Sequence, residues 1–280
     1  MGYTYNADYI RAYYDAYAER EWARFDETAS PVHRVSYHVH RTYLDRYVHF
    51  GDRVLEVGAG PGRFTVDLAR LGATIAVGDL SPRQLALNRS HVAEAGCVES
   101  VESWDEVDVC NLSRFADGTF DVTVCYGGPL SYVFDNVDVA LGELPRVTRE
   151  GGHVLLSVMS LVGSTEAFLG SVVDIARERG LDVARSVIDT GDLDARVQEG
   201  HFCRMYRWSR LESLLIAHPC VVVAASASSC LSTAREDVAH QIAADPNLWA
   251  TFLAWEVDVC AEPGARDAGT HIIAVVRKVG

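Results

Sequence analysis

Lysine is nearly absent from these 280 residues: Lys278 is the only one, and arginine supplies the rest of the 25 basic side chains. An oxidoreductase that works through a Tyr-x-x-x-Lys pair therefore has no lysine where it needs one. Basic side chains are also outnumbered by 39 acidic ones, giving a formal net charge of −14. No basic cluster offsets this, because Arg41, Arg46 and Arg53 are interleaved with Asp45 and Asp52. Nucleic-acid affinity comes from Lys and Arg neutralising phosphates, so a nucleic-acid partner is not expected. None of the seven cysteines, at 97, 110, 125, 203, 220, 230 and 260, forms a CxxC pair. A zinc cluster or redox pair is not expected, and the odd, scattered set reads as reduced buried thiols. Long apolar runs are missing too. The longest, residues 220–225, is far short of the ~20 residues that cross a bilayer. The opening MGYTYNADYIR has neither a basic n-region nor an apolar h-region, so the chain is read as cytoplasmic, with no membrane partner.

Hydrophobic residues make up 49% of the chain and charged residues 23%, which is ordinary globular usage. Residues 5–30 lack Gly and Pro and place Tyr9, Tyr13 and Tyr17 four apart on one helical face. One or two helices are predicted there, and another over 33–49 with Val35, Val39 and Tyr43 on a stripe. Short branched apolar runs then alternate with helical stretches. Strands are predicted at 53–57, 73–77, 98–104, 120–126 and 153–159, and helices at 64–71, 82–95 and 137–148. This βαβ rhythm makes the sheet mostly parallel, with helices on both faces. Residues 161–200 break it, with a helix at 165–179 and a polar segment at 189–200. A helix at 208–217, a strand at 221–225, a helix at 249–260 and a strand at 271–277 complete a seven-stranded, doubly wound α/β sheet.

The informative segment is VLEVGAGPG, residues 54–62, where a strand runs into a glycine-rich turn that opens a helix. Glycine permits the tight turn and lets a ligand approach the backbone. A dinucleotide fingerprint, GxGxxG, would put its third glycine at 63, which is Arg63; here the glycines stand at 58, 60 and 62. Glu56 precedes them, and a carboxylate there suits a ligand with an ammonium group and repels a pyrophosphate. Nineteen residues beyond Gly60, Asp79 ends the second strand, where an acid can accept hydrogen bonds from both ribose hydroxyls of a nucleoside.

With that motif the chain resembles the class I, Rossmann-like S-adenosylmethionine-dependent methyltransferases, well over residues 35–160 and more loosely in the C-terminal third. The resemblance implies that Glu56, Gly58, Ala59, Gly60 and Gly62 hold the amino-acid end of the cofactor, Asp79 the ribose, and Leu80 the adenine face. It also implies an acid near the adenine amino group: Asp108, beside Val109, with Asp105 as competitor. Cys125 and Tyr126 would reach the cofactor at the fourth strand, and residues 126–130 would line the methyl-transfer site. The segment lacks the NPPY-type sequence of nucleic-acid amino-methylating enzymes. An N-terminal helical lid over 1–50 would close on the cofactor, with Tyr5, Tyr9, Tyr13 or Tyr14 facing its sulfonium; Tyr13 is the candidate carried forward, and packing on the domain is the other use of these rings. The cofactor-binding core would be 51–160, an insertion capping the acceptor site 161–205, and the rest of the sheet 206–280.

The implied reaction is methyl transfer to O, N or S of a small molecule, a secondary metabolite among the candidates, with S-adenosylhomocysteine released. Such transfer needs alignment, and a general base where the acceptor carries a proton. His201, in GHFCRMY, is the first candidate base, with Tyr126 beside the methyl, and His38 and His40 second. Glu256 and Asp267 are candidates to meet a cationic substrate, or lie on a solvated face. No metal is expected, and the chain is read as monomer or homodimer. The rivals are a cofactor-binding protein without methyl transfer and a protein or RNA methyltransferase.

Overall fold

The computed structural model describes residues 4–24, 29–197 and 200–280. Two short N-terminal helices, α1 (Ala7–Tyr17) and α2 (Arg20–Ala23), precede α3 (Pro31–Tyr47). Asn6 caps α1 by accepting from the Tyr9 N–H, and Ser30 caps α3 from the Val32 N–H with Pro31 in its first turn. Val35, Val39, Tyr43 and Leu44 form the buried stripe of α3. The core then alternates: β1 (Arg53–Val57), α4 (Arg63–Arg70), β2 (Thr74–Asp79), α5 (Pro82–Glu94), β3 (Val101–Glu106) and β4 (Phe120–Cys125). A four-residue helix, α6 (Pro129–Tyr132), leads to α7 (Val137–Val147) and the long β5 (Thr148–Met159).

After β5 come α8 (Leu161–Ala167), α9 (Leu169–Arg179), α10 (Leu181–Thr190) and a two-stranded ribbon, β6 (Asp192–Leu193) with β7 (Cys203–Arg204). The single helix predicted at 165–179 is thus two, a third helix occupies 181–190, mostly between that prediction and the polar segment at 189–200, and the polar segment itself holds a ribbon strand. The chain closes with α11 (Trp208–Leu215), β8 (Cys220–Ala227), α12 (Glu236–Ala243), α13 (Pro246–Cys260) and β9 (His271–Lys278).

Seven strands form one sheet in the order β3-β2-β1-β4-β5-β9-β8. β1 to β5 pair in parallel, while β9 runs antiparallel to both β5 and β8. The expected doubly wound, mostly parallel sheet is this one. One departure is β3, which starts at Val101 because residues 98–100 form a 3-10 turn. One face of the sheet packs under α7 and α11, with Leu55, Val57, Leu144 and Leu211 in its core. The other packs under α3, α4 and α13, with Val54, Leu68, Val39 and Val257. Both faces are covered, which is why the central strands are mostly apolar on both sides, while the edge strand β3, VESWDE, is mostly polar. Among the described residues, no helix is long and apolar enough to cross a membrane.

The order reverses between β1 and β4: from β1 the sheet grows one way through β2 to β3, and the other way from β4 outward. Open α/β sheets bind ligands at the carboxyl ends of strands beside such a switch point.

Candidate active site

The turn after β1 is built by backbone requirements. Gly58, Gly60 and Gly62 all have positive φ, at 70°, 54° and 99°. The Gly58 and Ala59 N–H groups both donate to the Gly78 carbonyl, at 2.8 and 3.1 Å, tying the turn to β2. A methyl on Gly58 would stand 2.3 Å from Pro129 Cγ, so the turn also packs against the segment after β4. Gly60, in contrast, has open space in front of it, with Glu21 Cγ nearest at 3.9 Å. That space is a cleft of about 930 Å³, counting the part open to solvent.

Of the residues singled out in the sequence, Gly58, Ala59, Gly60, Asp79 and Leu80 line this cleft at its β1–β2 end. Asp108 and Val109 line it beyond β3, and Tyr126 beyond β4. Asp79 Oδ2 accepts from the Gly60 N–H at 2.8 Å and Oδ1 from the Ser81 N–H at 2.8 Å, which aims the carboxylate along the turn. Burial raises its pKa to about 6 despite those bonds. Asp108 Oδ1 takes the Cys110 N–H and Oδ2 the Tyr5 hydroxyl, each at 2.8 Å. The competing acid, Asp105, turns away to Ser103 and Arg114.

Helix α1 lies across the cleft's rim. Arg11 donates to the Leu80 carbonyl at 3.2 Å and pairs with Glu106 at 2.7 Å. Ser81 donates to Asp15, and Gln84 donates to the Tyr14 carbonyl at 3.0 Å. Tyr5, Ile10 and Tyr14 consequently line the cleft. Tyr13 does not; it stacks on Tyr17, centroids 5.8 Å apart, and lies 5.6 Å from the His201 ring.

Four other residues are placed away from the cleft wall. Cys125 is fully buried in the core. Gly62 is the N-cap of α4 and faces Asn88. His38 and His40 belong to α3; His40 is buried, bonded to the Ser36 carbonyl at 2.8 Å and pushed down to about 4 by burial. Its ring meets Tyr126 edge-on, 4.9 Å between centroids. The Tyr126 hydroxyl is buried without a hydrogen-bond partner among the described residues.

His201 reaches the cleft through another side chain. The Tyr14 hydroxyl donates to the Tyr132 hydroxyl at 2.6 Å, and Tyr132 lies 3.0 Å from His201 Nε2. Tyr14 and Tyr132 are on the cleft wall. Burial and the nearby Arg24 hold the imidazole pKa below its ordinary value.

Glu56 departs most from its expected position. It is 2% exposed and lies behind the turn, where it accepts from the Thr65 hydroxyl at 2.6 Å. Thr65 in turn takes Asn88 Nδ2 at 2.8 Å, and Asn88 takes the Trp104 N–H at 3.0 Å. Burial raises Glu56 to about 8, with Asp67 and Asp79 adding to the rise. The folded chain therefore keeps a proton that the unfolded chain releases above pH 4.5, and stability falls as pH climbs from 4.5 to about 8. Glu56→Gln removes this loss. Its melting temperature should match wild type at pH 5 and exceed it at pH 9 by on the order of 5 °C, read by scanning calorimetry. Equal melting temperatures at both pH values would show that Glu56 ionises freely.

Glu256 and Asp267 are structural. The fully buried Glu256 accepts the backbone N–H groups of Cys230, Leu231 and Ser232 at 2.7–3.1 Å. Asp267 accepts the Trp208 N–H at 2.7 Å, at the start of α11. Neither lines the cleft. Sequence reasoning missed Glu21 and Tyr132 on the wall. No motif marks them, and only the packing of α2 and α6 brings them there. Among the described residues, no group of three or more His, Cys, Asp or Glu is placed to hold a metal ion.

A methyltransferase-domain family profile matches residues 54–152, the stretch from β1 into β5. The ubiquinone biosynthesis O-methyltransferase of Paracidovorax citrulli is 32% identical over 123 residues, covering 44% of this chain and 49% of that protein. The chain thus spans about half the length of curated relatives such as this one. Among solved structures, the 1,6-didemethyltoxoflavin N1-methyltransferase of Burkholderia thailandensis, bound to S-adenosylhomocysteine, aligns with TM-score 0.56 and 15% identity. That alignment covers 98% of this chain and 89% of that one. The cyclase SpnF aligns with TM-score 0.54 and 22% identity over 88% of this chain and 81% of its own.

Proposed function

Since residues 54–152 make this chain a member of the class I, Rossmann-like S-adenosylmethionine-dependent methyltransferases, we propose that it transfers a methyl group from that cofactor to O, N or S of a small molecule. The observation that carries the reading is Asp79, held by the Gly60 and Ser81 N–H groups on the wall of a cleft whose floor is the open side of Gly60. The residues present fit the cofactor. An unfilled cradle lies over Gly60, an acid stands at each of the two nucleoside positions, and apolar Leu80 and Val109 lie between them.

When bound, the cofactor supplies an already activated methyl, so the chain's task is alignment and exclusion of water. Asp79 holds the ribose and Asp108 the adenine edge. Roofing by α1 shields them, and Tyr5 joins roof to floor through Asp108. At the β4 end the wall is aromatic, with Phe64, Tyr126, Tyr14 and Tyr132. That surface suits a flat or apolar acceptor. Where the acceptor carries a proton, Tyr132 can accept it while passing its own to His201 Nε2, whose imidazole is kept neutral by burial. His201 acts through Tyr132, so it is a proton store and Tyr132 the group at the cleft.

The fold also serves SpnF, a cyclase, so fold alone does not dictate methyl transfer. The test is incubation of the protein with methyl-labelled S-adenosylmethionine and the small-molecule fraction of a cell extract. Label should move into an extractable metabolite as S-adenosylhomocysteine accumulates. Saturable cofactor binding with no transfer to any fraction would favour binding without methylation.

A further inference from the structure

We propose that Glu21, rather than Glu56, is the carboxylate that receives the ammonium group at the amino-acid end of the cofactor. This rests on the reading of the cleft as a site for S-adenosylmethionine. Among the described residues, three acids line the cleft: Glu21, Asp79 and Asp108. Asp79 and Asp108 each have both oxygens engaged by the protein, at the two positions read above as nucleoside contacts. Glu21 uses one. Its Oε1 pairs with Arg24 at 2.7 Å, and Oε2 has no hydrogen-bond partner among the described residues. Its side chain is only 16% exposed, and its Cγ stands 3.9 Å from where a Cβ on Gly60 would sit. It thus hangs over the open side of the turn, on the ligand's side of the backbone.

Glu56 is on the opposite side of that backbone. It is committed to Thr65 and absent from the cleft wall. With its carboxyl raised to about 8, it is mostly protonated at pH 7 and a weak partner for a cation. Its work is to anchor the turn through Thr65 and Asn88. A buried ammonium needs a charge-assisted acceptor, and among the described wall residues Glu21 is the acid with an oxygen to give. The α2 segment would then sense the cofactor's tail directly, completing the site only when it packs over the turn.

Calorimetry on the full chain tests this with two ligands: S-adenosylhomocysteine, and 5′-S-(3-carboxypropyl)-5′-thioadenosine, which differs only in lacking the amino group. Wild type should prefer the first by roughly 10- to 100-fold. Glu21→Gln should bind the deaminated ligand within about threefold of wild type, which also shows that the variant is folded, and lose most of the preference. Glu56→Gln should keep the preference. The proposal is overturned if Glu21→Gln keeps it, if Glu56→Gln alone abolishes it, or if Glu21→Gln weakens both ligands equally. Failure of wild type to bind either ligand at millimolar concentration would instead remove the cofactor reading beneath it.

Discussion

Asp79→Asn is expected to weaken S-adenosylhomocysteine binding by about 100-fold or more, because each hydrogen bond to a charged group is worth roughly 1.5–3 kcal/mol. The carboxylate has two acceptor oxygens, and both face backbone donors, Gly60 N–H and Ser81 N–H. An amide turns one of those oxygens into a donor, so one buried N–H must face another N–H. The turn then loses its tether on one side, and the ribose loses one acceptor. Since Asp79 is already raised to about 6 by burial, removing its charge relieves that penalty, and the variant should melt no lower than a few degrees below wild type. Calorimetry with the ligand, beside a melting curve without it, separates the two effects. An affinity within threefold of wild type would show that Asp79 does not touch the ligand.

Gly58→Ala carries the second large effect, this time on both stability and binding. A methyl there would lie 2.3 Å from Pro129 Cγ and 3.3 Å from Pro129 Cβ, on a residue with φ of 70°. Proline is rigid and sits at the first position of α6, so it cannot swing aside. Left-handed strain of ~1–2 kcal/mol and overpacking of ~1–3 kcal/mol combine. A drop in melting temperature on the order of 5–10 °C follows for a domain of this size. Relief requires the segment after β4 to move off the segment after β1, which opens the cleft between Tyr126 and the turn. Ligand affinity should therefore fall even at temperatures where the variant is folded. Gly127→Ala is the comparison: it has a similar φ of 76° but nothing within 4 Å, so it should show the strain without the clash. Equal losses in the two variants would mean that Pro129 does not brace the turn.

The sheet and the glycine turn were legible because their causes are local. Buried parallel strands need apolar side chains on both faces, as Val54, Leu55 and Val57 supply in β1, and three positive-φ positions in five residues leave only glycine. Asp79 was legible from its distance along the chain. Glu56 was legible as a motif and misread as a contact. The alternation of β1 carries the correction: Leu55 and Val57 pack in the core under α7, Val54 in the core under α4, so Glu56 shares Val54's side, beneath Thr65. Tyr13 and Tyr14 are adjacent on α1, about 100° apart around the helix, so only one can face the cleft. Nothing in the spacing says that it is Tyr14, because Tyr132 makes the choice. Helix α10 was missed since only Ala184 and Val187 are buried in it, too few to print a stripe. Glu21 had no signal at all: its neighbours in space, Gly60 and Asp79, are dozens of residues away in the chain.

A crystal structure of the protein grown with S-adenosylhomocysteine tests the central claim most directly. The account predicts both ribose hydroxyls at ~2.6–3.2 Å from the Asp79 carboxylate, with the homocysteine tail running over Gly60 beneath Glu21. A sugar bound elsewhere, or a cleft still empty at millimolar ligand, would contradict it.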